Sequence, residues 1–233
     1  MLDKVSKSKS INNYIMQFVA YEGRDDYANK RQKELGKLIV VGGPGGSGCS
    51  TIAKMLAKNF ALNYIYAGSM MQKFAHQQGF VDFNQLLGSR ESTKLLARAD
   101  KFIDKETLKA SFYPETLIDS KIFGALSSLK RIPTTVKIWL TCDIENRVSR
   151  TIISKKKIIV KGKLSKHSKL YKDTASELLK RYSVDKNRFK KIYGIDFDSP
   201  EKYYDIVIDS TKLNPSETYR LIITLLKDGK YIK

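Results

Sequence analysis

Acid is what this sequence has least of relative to its opposite: 24 aspartates and glutamates face 43 lysines and arginines, a net charge of +19 over 233 residues. That balance suits a polyanionic partner or simply reflects a lysine-rich proteome. Nucleic acid, nucleotides and anionic membranes all fit the sign. Cysteine is nearly absent. The two present, Cys49 and Cys142, are far apart and in no metal-type spacing, which excludes a zinc ribbon or a disulfide framework. The two histidines, His76 and His167, are isolated and suggest no metal centre. The single tryptophan, Trp139, lies in an apolar stretch and reads as core. No apolar run approaches the roughly 18 residues of a membrane span. The polar start, Met1 to Lys9, has no signal-type apolar core behind it, so a cytoplasmic location without membrane contact is expected.

What is present supports a folded enzyme-sized domain. A hydrophobic content of 42% is enough for a sizeable core and too much for a disordered chain. The most informative stretch is Gly43-Pro44-Gly45-Gly46-Ser47-Gly48-Cys49-Ser50-Thr51. An apolar run, Leu38 to Val41, leads into it; a helical pattern with Ile52, Met55, Leu56 and Phe60 on one face leads out. Strand, glycine-rich turn and helix in that order make a phosphate cradle, because backbone N–H groups and the helix N-terminus converge on an anion. The spacing follows G-x-x-x-x-G-K-[ST] from Gly43 through Gly48 to Ser50, with Cys49 where that pattern has lysine. Ser50 keeps the hydroxyl that would sit on Mg²⁺, whereas the missing ammonium must be replaced by other cations. A helix N-terminus also predicts a lowered thiol pKa at Cys49.

The rest of the chain alternates strands with helices, the pattern of a parallel α/β sheet with right-handed crossovers. Strands are predicted over 37–42, 63–66, 115–119, 135–141 and 204–209. Two short helices are predicted within 11–35, in an N-terminal extension covering 1–36. Further helices are predicted over 50–59, from Ala67 to Gln78, through much of 82–111, over 121–130 and 144–152, and from Asn214 to Gly229. The capping-box pattern Thr174-Ala175-Ser176-Glu177 predicts the start of a long helix that ends at Gly194. Asn214-Pro215-Ser216-Glu217 predicts the start of the last one.

Cations cluster at two further places. Residues 147–172 hold Arg147, Arg150 and eight lysines with no acid, either a solvated face or part of an anion site. Arg181, Asp185 and Arg188 share one face of the long helix, where Asp185 can orient both guanidiniums. That trio is either a surface ion-pair ladder or a phosphate grip. Asp104, Asp119 and Asp209 can each serve a metal or merely cap a loop.

With these residues in view, the chain resembles the small P-loop nucleoside monophosphate kinases, most closely cytidylate kinases of the type common in archaea, over about residues 37–227. The resemblance rests on the loop at 43–48, on Tyr66-Ala67-Gly68, on Lys137 to Thr141 before a helix bearing Arg147 and Arg150, and on Arg181…Asp185…Arg188 running on to Asp196 and Tyr204 to Asp209. It implies a five-stranded parallel sheet in a kinase domain at 37–233, with a monophosphate-binding region at about 67–111 and a lid at about 151–180. It implies transfer of the ATP γ-phosphoryl to CMP or dCMP with Mg²⁺, by a monomer with no specific nucleic-acid partner. By position, Gly43 to Thr51 and Arg150 would hold ATP; Arg147, Lys121, Arg181 and Arg188 would serve catalysis; Ala67, Gly68, Gln72, Lys73 and Asp185 would hold the acceptor. Gln72 and Lys121 stand where the family has arginine, and lysine lacks the bidentate fork. A kinase of another small acceptor, and a catalytically silent nucleotide- or nucleic-acid-binding protein, therefore remain as alternative readings.

Overall fold

The computed structural model describes residue 31 and residues 33–156 and 165–232. Five strands form one all-parallel sheet: β1 (Leu38–Gly42), β2 (Asn63–Tyr66), β3 (Thr116–Asp119), β4 (Val136–Thr141) and β5 (Ile206–Asp209), in the spatial order β2-β3-β1-β4-β5. Among the described residues the helices are α1 (Cys49–Asn59), α2 (Ala67–Gln77), α3 (Phe83–Gly88), α4 (Ser92–Ala110), α5 (Phe123–Leu129), α6 (Ile144–Lys156), α7 (Lys169–Tyr193) and α8 (Pro215–Asp228). The five strands and the parallel sheet thus follow the sequence expectation.

The central strand β1 is apolar at every position before Gly42 because both its faces are covered, which is how parallel strands are buried. One layer packs Ile39, Val41, Leu117, Ile138 and Leu140 against Ile52 and Leu56 of α1 and Ile222 and Leu226 of α8. The opposite layer sets Leu38, Val40 and Ile118 against Ala110, Phe112 and Phe123. Trp139 is core as predicted: its ring lies 4.9 Å from Tyr204 and 5.5 Å from Phe197, a tilted aromatic group under α7.

Register brings the chemistry to one edge. Val41 and Tyr66 both pair with Asp119, Gly42 pairs with Trp139, and Thr141 pairs with Asp209. The carboxyl ends of β1, β2, β3, β4 and β5 therefore end together, and the crevice outside them is where ligands bind in open α/β sheets.

Two local expectations change. The long helix begins six residues earlier than its capping-box pattern suggests. Ser168 is the cap, accepting from Tyr171 N at 3.2 Å, while Thr174 lies inside the helix and donates to Leu170 O. The charged stretch 82–111 is two helices, with Ser89 in extended backbone between them. Of the expected lid at about 151–180, residues 151–156 continue α6 and 169–180 open α7, while 157–164 lie outside the described residues. The two helices pack through Val148, Ile152 and Leu178. The other expectations hold to within a few residues, and Asn214 forms the complete capping box with Glu217. The helices expected within 11–35 lie outside the described residues, apart from a helical turn at 31 and 33–35. There the buried Arg31 ties the segment down, donating to Ser111 O at 2.9 and 3.2 Å and to Gly36 O at 2.8 Å.

Candidate active site

One end of the crevice is built from backbone. Between β1 and α1 the chain turns through Gly43 to Gly48, with Ser47 N donating to Pro44 O at 3.1 Å. Gly48 caps α1 at φ +97 with no side-chain bond, which leaves the first N–H groups of the helix to face an anion. Gly46, at φ +85, has no room for a side chain: a Cβ there would lie 2.7 Å from Arg147 O. The loop rests directly on α6.

Arg147 and Arg150 hold that loop from α6. Arg147 is buried; its Nε donates to Gly45 O at 2.8 Å and its guanidinium lies 5.7 Å from the Tyr182 ring centre. It sits behind the loop, in a small cleft shared with Lys121, Arg181 and Asp185. Arg150 uses both terminal nitrogens. Nη1 donates to Ser47 O and Ser210 Oγ, each at 3.0 Å, and Nη2 donates to Ser210 O at 2.6 Å and Leu213 O at 3.0 Å. Arg150 thus fastens the phosphate loop to the β5–α8 connection, a task for a planar fork.

Cys49 does not behave as the helix N-terminus suggested. Its Sγ donates to Gly42 O at 3.0 Å and lies 3.0 Å from Ser47 Oγ, under the loop. Burial pushes the thiol up to about 12, outweighing the Ser47 hydroxyl. The expected lowering is reversed because desolvation of a thiolate exceeds the helix-end attraction. Cys49 is a neutral packing group here, and it supplies no charge.

Beside Cys49, Ser50 faces the end of β3. Its hydroxyl lies near the Asp119 carboxylate and helps hold its charge, and Asp119 Oδ2 accepts from Tyr64 Oη at 2.8 Å. Burial raises the Asp119 pKa, and the Ser50 and Tyr64 hydroxyls and Lys54 pull it back. A hydroxyl and a carboxylate at the mouth of a phosphate loop fit Mg²⁺, which takes one or two protein oxygens and completes its shell with phosphates and water. Sequence reasoning had treated Asp119 as no better than Asp104 or Asp209. The sharper signal was its place, last residue of the apolar strand next to β1. Asp209 instead closes its own turn, accepting from Thr211 N.

The other end of the crevice is built from side chains. Asp185 is buried on α7 and accepts from Lys121 Nζ at 2.6 Å and Arg188 Nη2 at 3.0 Å. Burial pushes its pKa up, but Lys121 and Arg188 together hold the carboxyl below the usual carboxylate range. The expected bridge from Asp185 to Arg181 does not form. Arg181 turns toward α3, with its guanidinium 5.2 Å from the Phe83 ring centre and Nη1 4.0 Å from Glu177 Oε1. Arg188 meets a residue that sequence reasoning had passed over: Asp100 on α4, 2.8 Å from its Nε. Asp104, one turn on, accepts from the Tyr193 hydroxyl.

The two ends share one cavity of about 560 Å³. It runs from the loop, Gly43 to Ser50, past Asp119 and Lys121 to Asp100, Arg181, Asp185 and Arg188. Ala67 and Gly68 line it as expected, but Gln72 and Lys73 do not: both are exposed on the outer face of α2. Helical spacing places Met71 with Ala67 and Gly68, and Met71 lines the cavity instead. Gln72 Oε1 accepts from Phe83 N at 3.1 Å, which fixes α3 against α2.

Comparison with known proteins adds to this geometry. The family described as "Cytidylate kinase-like family" matches residues 38–212. A cytidylate kinase of Sulfurisphaera tokodaii is 38% identical over 114 residues, covering 48% of this chain and 59% of that protein. A cytidylate kinase of Methanopyrus kandleri is 28% identical over 119 residues, covering 48% of this chain and 60% of that protein. The chain thus matches about three-fifths of the length of these relatives. Among solved structures, a shikimate kinase from Acinetobacter baumannii has a TM-score of 0.52 at 13% identity, covering 86% of this chain and 98% of that one, a likeness of fold.

Proposed function

Because the chain belongs to the cytidylate kinase-like family, we propose that it transfers the γ-phosphoryl of ATP to a pyrimidine nucleoside monophosphate, CMP or dCMP. The observation that carries this reading is the single cavity joining the phosphate loop to the Lys121–Asp185–Arg188 cluster. Two phosphorylated substrates can meet there without crossing bulk water.

The loop N–H groups and the α1 N-terminus hold the donor phosphates, and Arg150 keeps that cradle closed against β5. Ser50 and Asp119 would hold Mg²⁺, which neutralises charge on the β- and γ-phosphates. Transfer breaks the bond from the γ-phosphorus to its bridging oxygen and forms one to an oxygen of the acceptor monophosphate. Little covalent chemistry is asked of the protein; positioning and cations are. Arg181, whose buried Nε has no hydrogen-bond partner, and Lys121 flank the path between the two ends. Arg147 acts through the loop it supports. In this reading α6 and α7, packed on each other through Val148, Ile152 and Leu178, would serve as the lid that excludes water from the transferred group.

The experiment is phosphoryl transfer from Mg-ATP to CMP, dCMP, UMP, AMP, GMP and TMP. Turnover with CMP or dCMP well above the others is the expected result. Turnover with a different monophosphate moves the acceptor, and ATP binding with transfer to none of them overturns the reading.

A further inference from the structure

The inner face of α4 is core, with Leu95, Leu96, Ala99 and Ile103 buried. Its outer face is a stripe of one sign. Lys94, Arg98, Lys101 and Lys105 stand at i, i+4, i+7 and i+11, and all four are exposed. Among the described residues none of them forms an ion pair. The acids of the same helix are engaged elsewhere: Asp100 with Arg188, Asp104 with the Tyr193 hydroxyl and Glu106 with Lys109. Glu91, the cap, precedes Lys94 by three residues. A helix face that meets only water gains from alternating signs, because like charges at i, i+3 and i, i+4 repel. Lys94 adds a second cost, a cation in the first turn, where the helix end is itself positive. A polyanion lying along the stripe removes both costs.

Spacing and surroundings say which polyanion. The cations recur once per turn, about 5–6 Å apart, over roughly 16 Å of helix. A phosphodiester strand carries a charge on every nucleotide and meets such a row at each step. A lipid surface fits less well, because a helix lying on lipid needs its apolar face free, and that of α4 is packed in the core. Phe102, one turn after Arg98 and 39% exposed, borders the stripe and offers a ring on which an unpaired base can stack. We propose that the outer face of α4 binds a single strand of nucleic acid, with phosphates on Lys94, Arg98, Lys101 and Lys105 and a base on Phe102, and without reading sequence. The stripe faces away from the cavity, which Asp100, Ile103 and Asp104 line from the inner side of the same helix. A strand and the nucleotides can therefore be held together. The +19 charge of the chain raises the rate at which such a strand arrives.

The test is fluorescence anisotropy of a labelled oligouridylate of about 12 nucleotides with a 5′-hydroxyl, titrated with the full chain in excess Mg-ATP over a range of salt. Affinity is expected to fall with salt, log affinity against log salt having a slope of roughly 0.7 per phosphate engaged. Lys94→Gln, Arg98→Gln, Lys101→Gln and Lys105→Gln together should cut affinity at least ~10-fold and flatten that slope by roughly 3. The fold of this variant should be no less stable to heat, since the repulsion along α4 is gone. A control with Lys58→Gln, Arg220→Gln, Lys227→Gln and Lys230→Gln loses the same charge from other exposed positions and should keep the slope within about 1. Phe102→Ala should weaken binding ~5-fold or more at an unchanged slope. Equal losses in the two quadruple variants would assign binding to net charge alone and overturn the proposal. So would no binding by the wild type, undiminished binding by the α4 variant, or a duplex of equal length bound as tightly. Displacement of the oligomer by polyglutamate or by phosphatidylserine vesicles as readily as by unlabelled oligouridylate of matched charge would also overturn it.

Discussion

The two ends of the cavity are made of different material. The end proposed for the donor is backbone: glycines, a helix N-terminus and one hydroxyl, braced from behind by Arg147 and Arg150. The end proposed for the acceptor is an ion cluster contributed by α4, α7 and the β3–α5 connection, in which Lys121, Arg188, Asp100 and Asp185 hold one another. Backbone fits any polyphosphate and tolerates side-chain change on its outer face. A buried ion cluster fits one arrangement and suffers when any member is removed, because the remaining charge has no water to turn to. The comparison therefore predicts that single changes at the acceptor end disturb fold and recognition together, while those at the donor end disturb nucleotide binding more than the fold.

Asp185→Ala should do the most damage. It leaves Lys121 and Arg188 facing each other without their shared carboxylate. A loss of about 3–5 kcal/mol in stability is expected from breaking a buried pair. Chemical denaturation measures it, and a variant as stable as wild type would show the cluster to be solvated in solution. Gly46→Ala comes next. At φ +85 and against Arg147 O it should cost ~1–3 kcal/mol and empty the site of ATP. Equilibrium dialysis with ATP gives the second readout, and retained affinity would break the claim that the loop rests on α6. Arg150→Lys keeps the charge and loses the fork that reaches Ser47, Ser210 and Leu213. ATP affinity should fall roughly tenfold with CMP affinity unmoved, a split that separates the two ends.

A weaker effect sharpens the comparison through pH. Asp100 faces Asp104 on its own helix and Asp185, Arg188 and Tyr193 on α7. Its pKa rises from an ordinary 3.8 to about 7, so the folded chain keeps a proton there that the unfolded chain has lost. Its contribution to stability is complete below 3.8 and disappears as pH climbs to about 7. Asp100→Asn should flatten that part of the stability–pH curve; an unchanged slope would mean that Asp100 titrates as a free acid. The smallest effect belongs to Cys49. With its thiol pushed up to about 12, it should resist alkylation at pH 8 in the folded protein and react once unfolded. Cys49→Ser should shift stability by under about 1 kcal/mol, because a hydroxyl can also donate to Gly42 O.

The same contrast explains what could be read without a structure. Strand, glycine turn and helix are local, so the donor end stood in nine consecutive residues, and the Asn214 cap was equally local. The acceptor end depends on pairings between residues far apart, Lys121 with Asp185 and Asp100 with Arg188, and spacing along one helix cannot reveal them. That is why the Arg181–Asp185–Arg188 face suggested a bridge to Arg181 that Lys121 in fact takes. Gln72 was placed at the acceptor by counting along a motif, but the helix turns its side chain outward and gives the cavity Met71. At Thr174 the capping pattern was genuine in letters only, since Ser168 already caps the helix.

The most direct test is a bisubstrate ligand, adenosine and cytidine joined through five phosphates, titrated into the chain by calorimetry. A shared cavity predicts one ligand per chain, bound more tightly than ATP or CMP, and displaced by either. Two ligands per chain, or displacement by ATP but not by CMP, would contradict a single site with a donor and an acceptor end.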